Sequence, residues 1–160
     1  YKNTFSVIFD VQPELYEYCI VKLVLQPILE NAINYGVGSM DDCGEIKVTG
    51  RMQGENIILS VTDNGLGMTE EEVDLILTDS KRIRKHGSGV GLVNVNNRIQ
   101  ILFGKEYGLV VESEPDEGTT VSICIPAVLY TEDNREDLEK GRMFRKEETA
   151  KEVQVKRDDE

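Results

Sequence analysis

The sequence predicts a two-layer α/β sandwich of the α+β class, in which helices cover one face of a mixed, mostly antiparallel sheet. Two pairs of segments with alternating apolar residues, 44–53 with 56–63 and 108–114 with 119–126, predict two β-hairpins. Two further segments, 24–35 and 91–103, repeat apolar residues at spacings of three and four. That periodicity predicts two helices that face the core.

The first part of the chain supplies one strand and the first helix. Residues 4–11 alternate, with Phe5, Val7 and Phe9 on one side of the predicted strand. In the helix at 24–35, Pro27 suits the first turn, and Gly36 and Gly38 are expected to end it. Its apolar stripe consists of Leu25, Ile28, Leu29, Ala32 and Ile33.

The remaining elements follow from turns and helix caps. Gly54 and Glu55 predict the turn of the first hairpin, and residues 115–118 that of the second. Thr69 followed by three glutamates predicts a capped short helix. The helix at 91–103 has the apolar face Leu92, Val95, Ile99 and Leu102.

Composition limits the possible classes of protein. The chain has 160 residues and a net charge of −12, which argues against binding to nucleic acid. We expect one domain at residues 1–130 and a charged extension at 131–160, disordered or helical, to which the sequence assigns no function.

No apolar run approaches the roughly 20 residues that span a bilayer. Because Tyr1 begins in mid-pattern, we expect the chain to be an excised fragment. The three cysteines are far apart and are expected to be buried thiols.

Gly87, Gly89 and Gly91 lead directly into the helix at 91–103. A glycine loop that precedes a helix N-terminus can bind phosphate, because free N–H groups and the helix dipole favour an anion. The spacing differs from the dinucleotide fingerprint Gly-x-Gly-x-x-Gly, and the Lys-Ser/Thr of the Walker loop is absent. The alternative is a glycine-rich surface loop without a ligand.

Asp63 follows an apolar strand and precedes Gly65 and Gly67. A buried carboxylate needs a partner, and one use is to accept the exocyclic amine of adenine. An Asp-Asn-Gly turn is the structural alternative.

Asn31 and Asn34 are three residues apart and are expected to share a helix face opposite the apolar stripe. Amide oxygens are suitable ligands for Mg²⁺. The alternative is two solvated polar side chains.

The order of these motifs, followed by Gly118-Thr119-Thr120, resembles the ATP-binding domain of the GHKL superfamily, which has the Bergerat-type fold. That superfamily includes gyrase-type topoisomerases, heat-shock chaperones, sensor histidine kinases and MutL proteins. The strings Leu-Gln-Pro-Ile-Leu-Glu-Asn-Ala at 25–32 and Gly-Leu-Val-Asn-Val-Asn-Asn-Arg at 91–98 are most similar to histidine kinases of the LytS/YesM type.

The resemblance implies binding of ATP and Mg²⁺. Asn31 would coordinate the metal, Asp63 would receive the adenine amine, and Thr119 or Thr120 would approach Asp63 through water. The implied nucleotide-binding residues are Asn31, Asn34, Tyr35, Asp63, Gly65, Gly67, Met68, Lys85, Gly87, Ser88, Gly89, Val90, Gly91, Leu92, Thr119 and Thr120.

The resemblance also bears on catalysis. Hydrolytic members of the superfamily carry a glutamate general base where this chain has Pro27. Glu30 would instead orient metal-bound water or polarise an incoming imidazole, although its helical position lies about 100° from Asn31. Many histidine kinases have a basic residue at the position of Asn34. A basic cluster of Lys81, Arg82, Arg84 and Lys85 in a lid would compensate, unless it is only a solvated loop.

His86 is not expected to be the phosphate acceptor, because it abuts the nucleotide glycines. We therefore expect the catalytic domain of a two-component sensor histidine kinase that transfers the γ-phosphoryl group of ATP to a histidine of a separate dimerisation domain. Its implied partners are that domain and a response regulator, within a homodimeric bacterial membrane protein whose cytoplasmic part includes this domain. The alternatives are a GHKL-type ATPase, an anti-sigma serine kinase and a degenerate interaction module.

Overall fold

The structure is a computed structural model that describes residues 5–40, 43–78 and 90–142. Its five-stranded sheet consists of β1 (Phe5–Val11), β2 (Gly44–Gln53), β3 (Asn56–Asp63), β4 (Gly108–Glu114) and β5 (Gly118–Pro126). The strand order is β1-β2-β3-β5-β4. β1 pairs with β2 in parallel, and the other pairs are antiparallel. The predicted mixed sheet and both hairpins are confirmed.

Four α-helices accompany the sheet in the described residues: α1 (Leu25–Asn31), α2 (Glu70–Ile76), α3 (Val90–Phe103) and α4 (Glu132–Glu139). A 3₁₀-helix at Pro13–Glu17 follows β1. Within these residues, no helix has both the length and the apolar character that a membrane crossing requires.

The core lies between one face of the sheet and helices α1 and α3. Alternation along β3 and β5 places Val61, Val121 and Ile123 on this face, where each side chain is at most 3% exposed. Ile28 of α1 and Ile99 of α3 are fully buried in the same cluster. Burial of each such side chain stabilises the fold by about 1.5–3 kcal/mol. The helices are therefore fixed against the sheet by the apolar stripes that the sequence predicted.

The opposite face of the sheet is polar. Ser60 and Ser122 are hydrogen-bonded across β3 and β5 at 2.8 Å, and Thr62 and Thr120 at 3.0 Å. The helices cover only the apolar face of the sheet. A ligand can therefore contact both sheet and helix residues only on the helix-covered side or at its edges.

The first predicted helix does not end as expected. Its α-helical part stops at Asn31 and continues as a π-helical turn, Ala32–Gly36, and a 3₁₀ turn, Val37–Ser39. Gly36 and Gly38 therefore do not end the helical path where the sequence predicted, since it continues to Ser39, and neither glycine has a positive φ. Gly36 has a packing reason instead: a Cβ there would lie 2.5 Å from Cγ of Asp63.

The helix α2 and the C-terminal extension were also predicted from the sequence. The capping box of α2 is confirmed by the Thr69 hydroxyl, which accepts from the Glu72 N–H, and by the Glu72 carboxylate, which accepts from the Thr69 N–H. The extension forms α4, capped by Thr131. Residues 143–160 lie outside the described part of the chain.

Candidate functional site

Asp63 is the last residue of β3, and its side chain points to the helix-covered face with 4% of its surface exposed. The N–H of Gly65 donates to its Oδ1 at 2.9 Å. Burial raises the pKa of Asp63 above its ordinary value, and the amides of Gly65 and Thr119 offset this only in part. No cation forms an ion pair with Asp63 in the described residues. The carboxylate is therefore a buried acceptor suited to an N–H donor of a ligand.

Four glycines, Gly36, Gly65, Gly67 and Gly118, permit close backbone approaches around Asp63. A Cβ on Gly65 would overlap the backbone of Gly36, and a Cβ on Gly118 would overlap the carbonyl of Asp63. Gly67 has a φ of +66°, and its Cβ would overlap the carbonyl of Glu114. The loop after β3 thus packs on the π-helical turn that follows α1 and on the β4–β5 turn. These contacts fix the position of Asp63.

Ser113 holds this loop to the sheet, a role that the motifs did not reveal. Its Oγ accepts from the N–H of Met68 at 2.8 Å and donates to the carbonyl of Gly118 at 2.8 Å. It is also 2.8 Å from Oγ1 of Thr119. Since the single Ser113 proton goes to Gly118, the Thr119 hydroxyl must donate to Ser113. The lone pairs of the Thr119 hydroxyl are then available to a water or ligand donor.

The structure separates the two candidate threonines. Thr119 pairs with Asp63 across β5 and β3 and is 7% exposed on the same face. Thr120 lies on the opposite face, with its hydroxyl bonded to Thr62. Of the two, Thr119 is therefore the one placed to act with Asp63.

A cleft of about 560 Å³ opens beside Asp63. Its wall includes Gly118 and Thr119, the edge residues Thr62 and Thr120 of the opposite face, and the glutamates Glu70, Glu112, Glu114 and Glu117. We call it the Asp63 cleft. Its acidic rim suits a ligand part that carries N–H donors and does not suit phosphate.

A second cleft, of about 160 Å³, lies between α1 and the start of α3. We call it the Asn31 cleft, and its wall brings together six residues that the motifs predicted. They are Glu30, Asn31, Asn34, Tyr35, Gly91 and Leu92, with Pro27 beside them.

Close packing and helix geometry create the Asn31 cleft. A Cβ on Gly91 would lie 3.1 Å from Cβ of Pro27, so glycine permits α3 to approach α1 closely. The π-helical turn begins one residue after Asn31 and contains Asn34 and Tyr35. Single π-helical turns inside helices occur frequently at functional sites.

Glu30 lines this cleft beside Asn31, despite their adjacent positions on the helix. Its Oε1 accepts a hydrogen bond from Nε2 of Gln26 at 3.0 Å. Pro27 occupies the wall without an acidic group. The described part of the Asn31 cleft therefore offers one carboxylate and two amides, and no cation.

The two clefts share no lining residue, but one segment joins them. Tyr35 lines the Asn31 cleft, and the next residue, Gly36, packs on the Asp63 carboxylate. An elongated ligand that enters both clefts would therefore pass along the π-helical turn that follows α1.

Several predicted residues lie outside the described part of the chain. These are Lys81, Arg82, Arg84, Lys85, His86, Gly87, Ser88 and Gly89, and of Val90 only the backbone is described. Within the described residues, no cluster of three or more His, Cys, Asp and Glu side chains could hold a metal ion. A metal at Asn31 would consequently depend on oxygen ligands from a bound phosphate and from water.

The chain belongs to a known class of ATPase domain. Residues 20–129 match the family described as histidine kinase-, DNA gyrase B- and HSP90-like ATPases, and the chain belongs to this family. The superfamily that the motifs resemble is thereby confirmed.

The relatives include both kinds of sensor named by the motif resemblance. YwpD of Bacillus subtilis is 37% identical over 127 residues, which are 78% of this chain and 42% of YwpD. The sensor histidine kinase YesM of the same organism is 34% identical over 73% of this chain and 19% of its own. The sensor protein LytS of Staphylococcus saprophyticus is 33% identical over 79% of this chain and 21% of its own. The chain thus spans less than half of each of these relatives.

Solved structures support the fold. The histidine kinase AdeS of Acinetobacter baumannii aligns with a TM-score of 0.55 at 19% identity, over 78% of this chain and 55% of that one. The kinase domain of a blue-light activated histidine kinase from Erythrobacter litoralis aligns with a TM-score of 0.54 at 20% identity, over 79% and 53%. The chain therefore has the fold of the ATPase domains of histidine kinases.

Proposed function

We propose that this chain binds Mg·ATP and is the catalytic domain of a two-component sensor histidine kinase. The observation that carries the proposal is the segment from Asn31 to Gly36, which lines the Asn31 cleft at one end and packs on the buried Asp63 at the other. A purine triphosphate has the matching order of groups, an amine-bearing base at one end and a charged phosphate chain at the other.

Asp63 would bind the base. Its buried carboxylate would accept a hydrogen bond from the exocyclic amine of adenine. Thr119, which hydrogen-bonds to Ser113, would accept one from a water that bridges it to Asp63. Gly65, Gly67 and Met68 belong to the loop beside the base. Guanine has a carbonyl where adenine has the amine, so the same carboxylate would repel it.

Asn31 would bind the phosphate end. Its amide oxygen is the proposed Mg²⁺ ligand, and Asn34, Tyr35, Gly91 and Leu92 line the same cleft. Mg²⁺ supplies charge neutralisation on the transferred phosphoryl group. The N-terminus of α3 places its dipole toward this cleft, and Gly87, Ser88, Gly89 and Val90 would complete the phosphate loop, with Lys85 as its cation.

Phosphoryl transfer would break the bond between the γ-phosphorus and the bridging oxygen, which leaves with ADP. The unprotonated nitrogen of the acceptor imidazole would form the new P–N bond, and the proton on the other ring nitrogen would pass to solvent or to the Glu30 carboxylate. Most of the catalytic effect would come from positioning and charge stabilisation. Pro27 disfavours the alternative of an ATP-hydrolysing machine, because it offers no base to activate water.

The remaining parts of the proposal concern the longer protein. The acceptor histidine would belong to a separate dimerisation domain, and the phosphoryl group would pass on to a response regulator. The whole protein would be a homodimeric membrane sensor with this domain in the cytoplasm.

A transfer assay tests the proposal. The chain is mixed with γ-labelled Mg·ATP and a histidine-bearing dimerisation domain, and the label is followed through acid treatment. We expect acid-labile label on that domain and little free phosphate. Steady phosphate release without transfer would indicate an ATPase, and acid-stable label would indicate a serine kinase. Absence of binding at millimolar Mg·ATP would leave only a degenerate module.

A further inference from the structure

A third cleft, of about 740 Å³, lies between Arg98 of α3 and the helix α4, and it shares no lining residue with the Asn31 cleft. Its wall combines residues 18–22 with Arg98 of α3, Tyr130, and Arg135, Leu138 and Glu139 of α4. We call it the α4 cleft. Its volume is within the range of about 300–1,000 Å³ that is typical of small-molecule sites.

The charge of the α4 cleft is opposite to that of the whole chain. The chain carries a net charge of −12, yet this cleft has three cations and one anion. Lys22 and Glu139 neutralise each other as an ion pair at 3.3 Å. Among the described residues, Arg98 and Arg135 have no side-chain ion pair or hydrogen bond. Within the described part of the chain, two guanidinium groups at the wall are thus without an ionic partner.

The floor of the cleft is apolar. Val21 is 5% exposed and Cys19 8%, and Leu138 packs against the same core cluster from the side of α4. A site with an apolar floor and two free arginines suits an anion with an apolar body, since Arg binds carboxylate and phosphate groups in a planar, bidentate manner.

The position of α4 depends on few contacts of its own. Leu138 is its single apolar side chain that packs on the core, and the segment before it is held by backbone bonds from Cys19 to Val128 and from Tyr130 to Glu17. A helix of eight residues is marginal without tertiary contacts. A ligand between α3 and α4 would supply them.

We propose that the α4 cleft is a second binding site, separate from the nucleotide site, for a small organic anion with an apolar body and a carboxylate or phosphate head. Arg98 and Arg135 hold the head, and Val21 and Leu138 contact the body. We infer an anion rather than a neutral ligand because the two arginines of the cleft would otherwise lack a negatively charged partner.

The test uses the fluorescent anion 8-anilinonaphthalene-1-sulfonate on the whole chain, with saturating Mg·ATP present to occupy the nucleotide site. We expect one saturable binding event that octanoate displaces and that octanol, its neutral counterpart, does not. The double variant R98Q/R135Q should weaken probe binding by about tenfold or more, as the loss of hydrogen bonds to charged groups implies. The control R51Q removes an arginine that is paired with Asp10 on β1 and should leave probe binding unchanged.

Four outcomes would overturn the proposal. They are absence of saturable binding, equal displacement by octanol, equal affinity in R98Q/R135Q, and stronger displacement by an acidic peptide than by octanoate, which would indicate a protein partner instead. Mg·ATP affinity of R98Q/R135Q is measured separately, so a failure here is distinguishable from a failure of the nucleotide site.

Discussion

The Asp63 cleft and the Asn31 cleft differ in how completely the scaffold defines them. Around Asp63, the hydrogen bonds of Gly65 and Ser113 and the close approach of Gly36 and Gly118 fix the backbone on every side. At Asn31, the cleft is small, and its described wall offers two amides and one carboxylate without a cation.

This difference has a functional meaning. A buried, pre-positioned carboxylate can select a base before any phosphate chemistry begins. Under the proposed function, a cleft that lacks its own positive charge would depend on Mg²⁺ and on the phosphate loop for charge compensation. We therefore expect substitutions near Asp63 to change binding or stability, and substitutions near Asn31 to change transfer.

The largest effect is expected for Asn31→Asp. An added negative charge at the proposed metal ligand should lower the transfer rate by about 10²–10³-fold, as the removal of one electrostatic contact to a transition state does. Mg·ATP affinity should fall by much less. Single-turnover transfer and isothermal titration on the same preparation compare the two, and equal losses in both would contradict the metal assignment.

The next effect is expected for Asp63→Asn. Loss of a hydrogen bond to a charged acceptor should weaken ATP binding by about 10–100-fold and reduce the preference for ATP over GTP, as measured by calorimetry.

In the absence of nucleotide, Asp63→Asn tests how the buried carboxylate affects the pH dependence of stability. Because burial raises the folded pKa of Asp63 above its ordinary value of 3.8, the folded state holds the proton more tightly than the unfolded state. The contribution of Asp63 to stability is therefore present below that value and is lost as pH rises through the folded pKa. Asp63→Asn should remove this slope in denaturant melts and should not destabilise the apo chain at pH 7. A large loss of stability at pH 7 would mean that the charge supports the fold.

A smaller effect, on stability alone, distinguishes packing from backbone conformation. Gly67 and Gly54 have nearly equal φ values of +66° and +60°, but only a Cβ at Gly67 meets another atom, the Glu114 carbonyl. Gly67→Ala should therefore destabilise the chain by about 1–3 kcal/mol more than Gly54→Ala. Equal losses in urea melts would show that the loop does not pack on the β4–β5 turn as described.

The smallest effect is expected for the two threonines. Thr119→Val removes a neutral acceptor beside Asp63 and should weaken ATP binding by about 2–10-fold, the range of one neutral hydrogen bond. Thr120→Val, on the opposite face, is the matched control and should change ATP affinity less than twofold. The reverse order would exclude Thr119 as a ligand-binding residue.

Much of the fold follows from short-range patterns. The alternation in β2, β3, β4 and β5 determines which side chains face the helices, and this periodicity is visible in the sequence. The π-helical turn after Asn31 was not predictable, because Gly36 is determined by a contact with Asp63, which lies 27 positions further along the chain.

The candidate site shows the same limit. Motifs predicted Asn31, Asp63 and Gly91 as site residues, because each residue type suits a particular role there. Ser113 has no motif, and its role depends on its register opposite Thr119. The predicted hairpin turn at 115–118 would place residue 113 opposite 120, whereas the observed turn is one residue shorter and pairs Ser113 with Thr119. The role of Ser113 in three hydrogen bonds is therefore visible only in three dimensions.

One titration tests most directly whether a single ligand spans both clefts. The isotopically labelled chain is titrated with Mg·ATP, and the NMR amide signals of Gly65 and Asn31 are followed together. We expect both signals to shift with one common dissociation constant, and adenosine to shift Gly65 while leaving Asn31 nearly unchanged. No shift at millimolar Mg·ATP, or a shift at only one of the two residues, would contradict it.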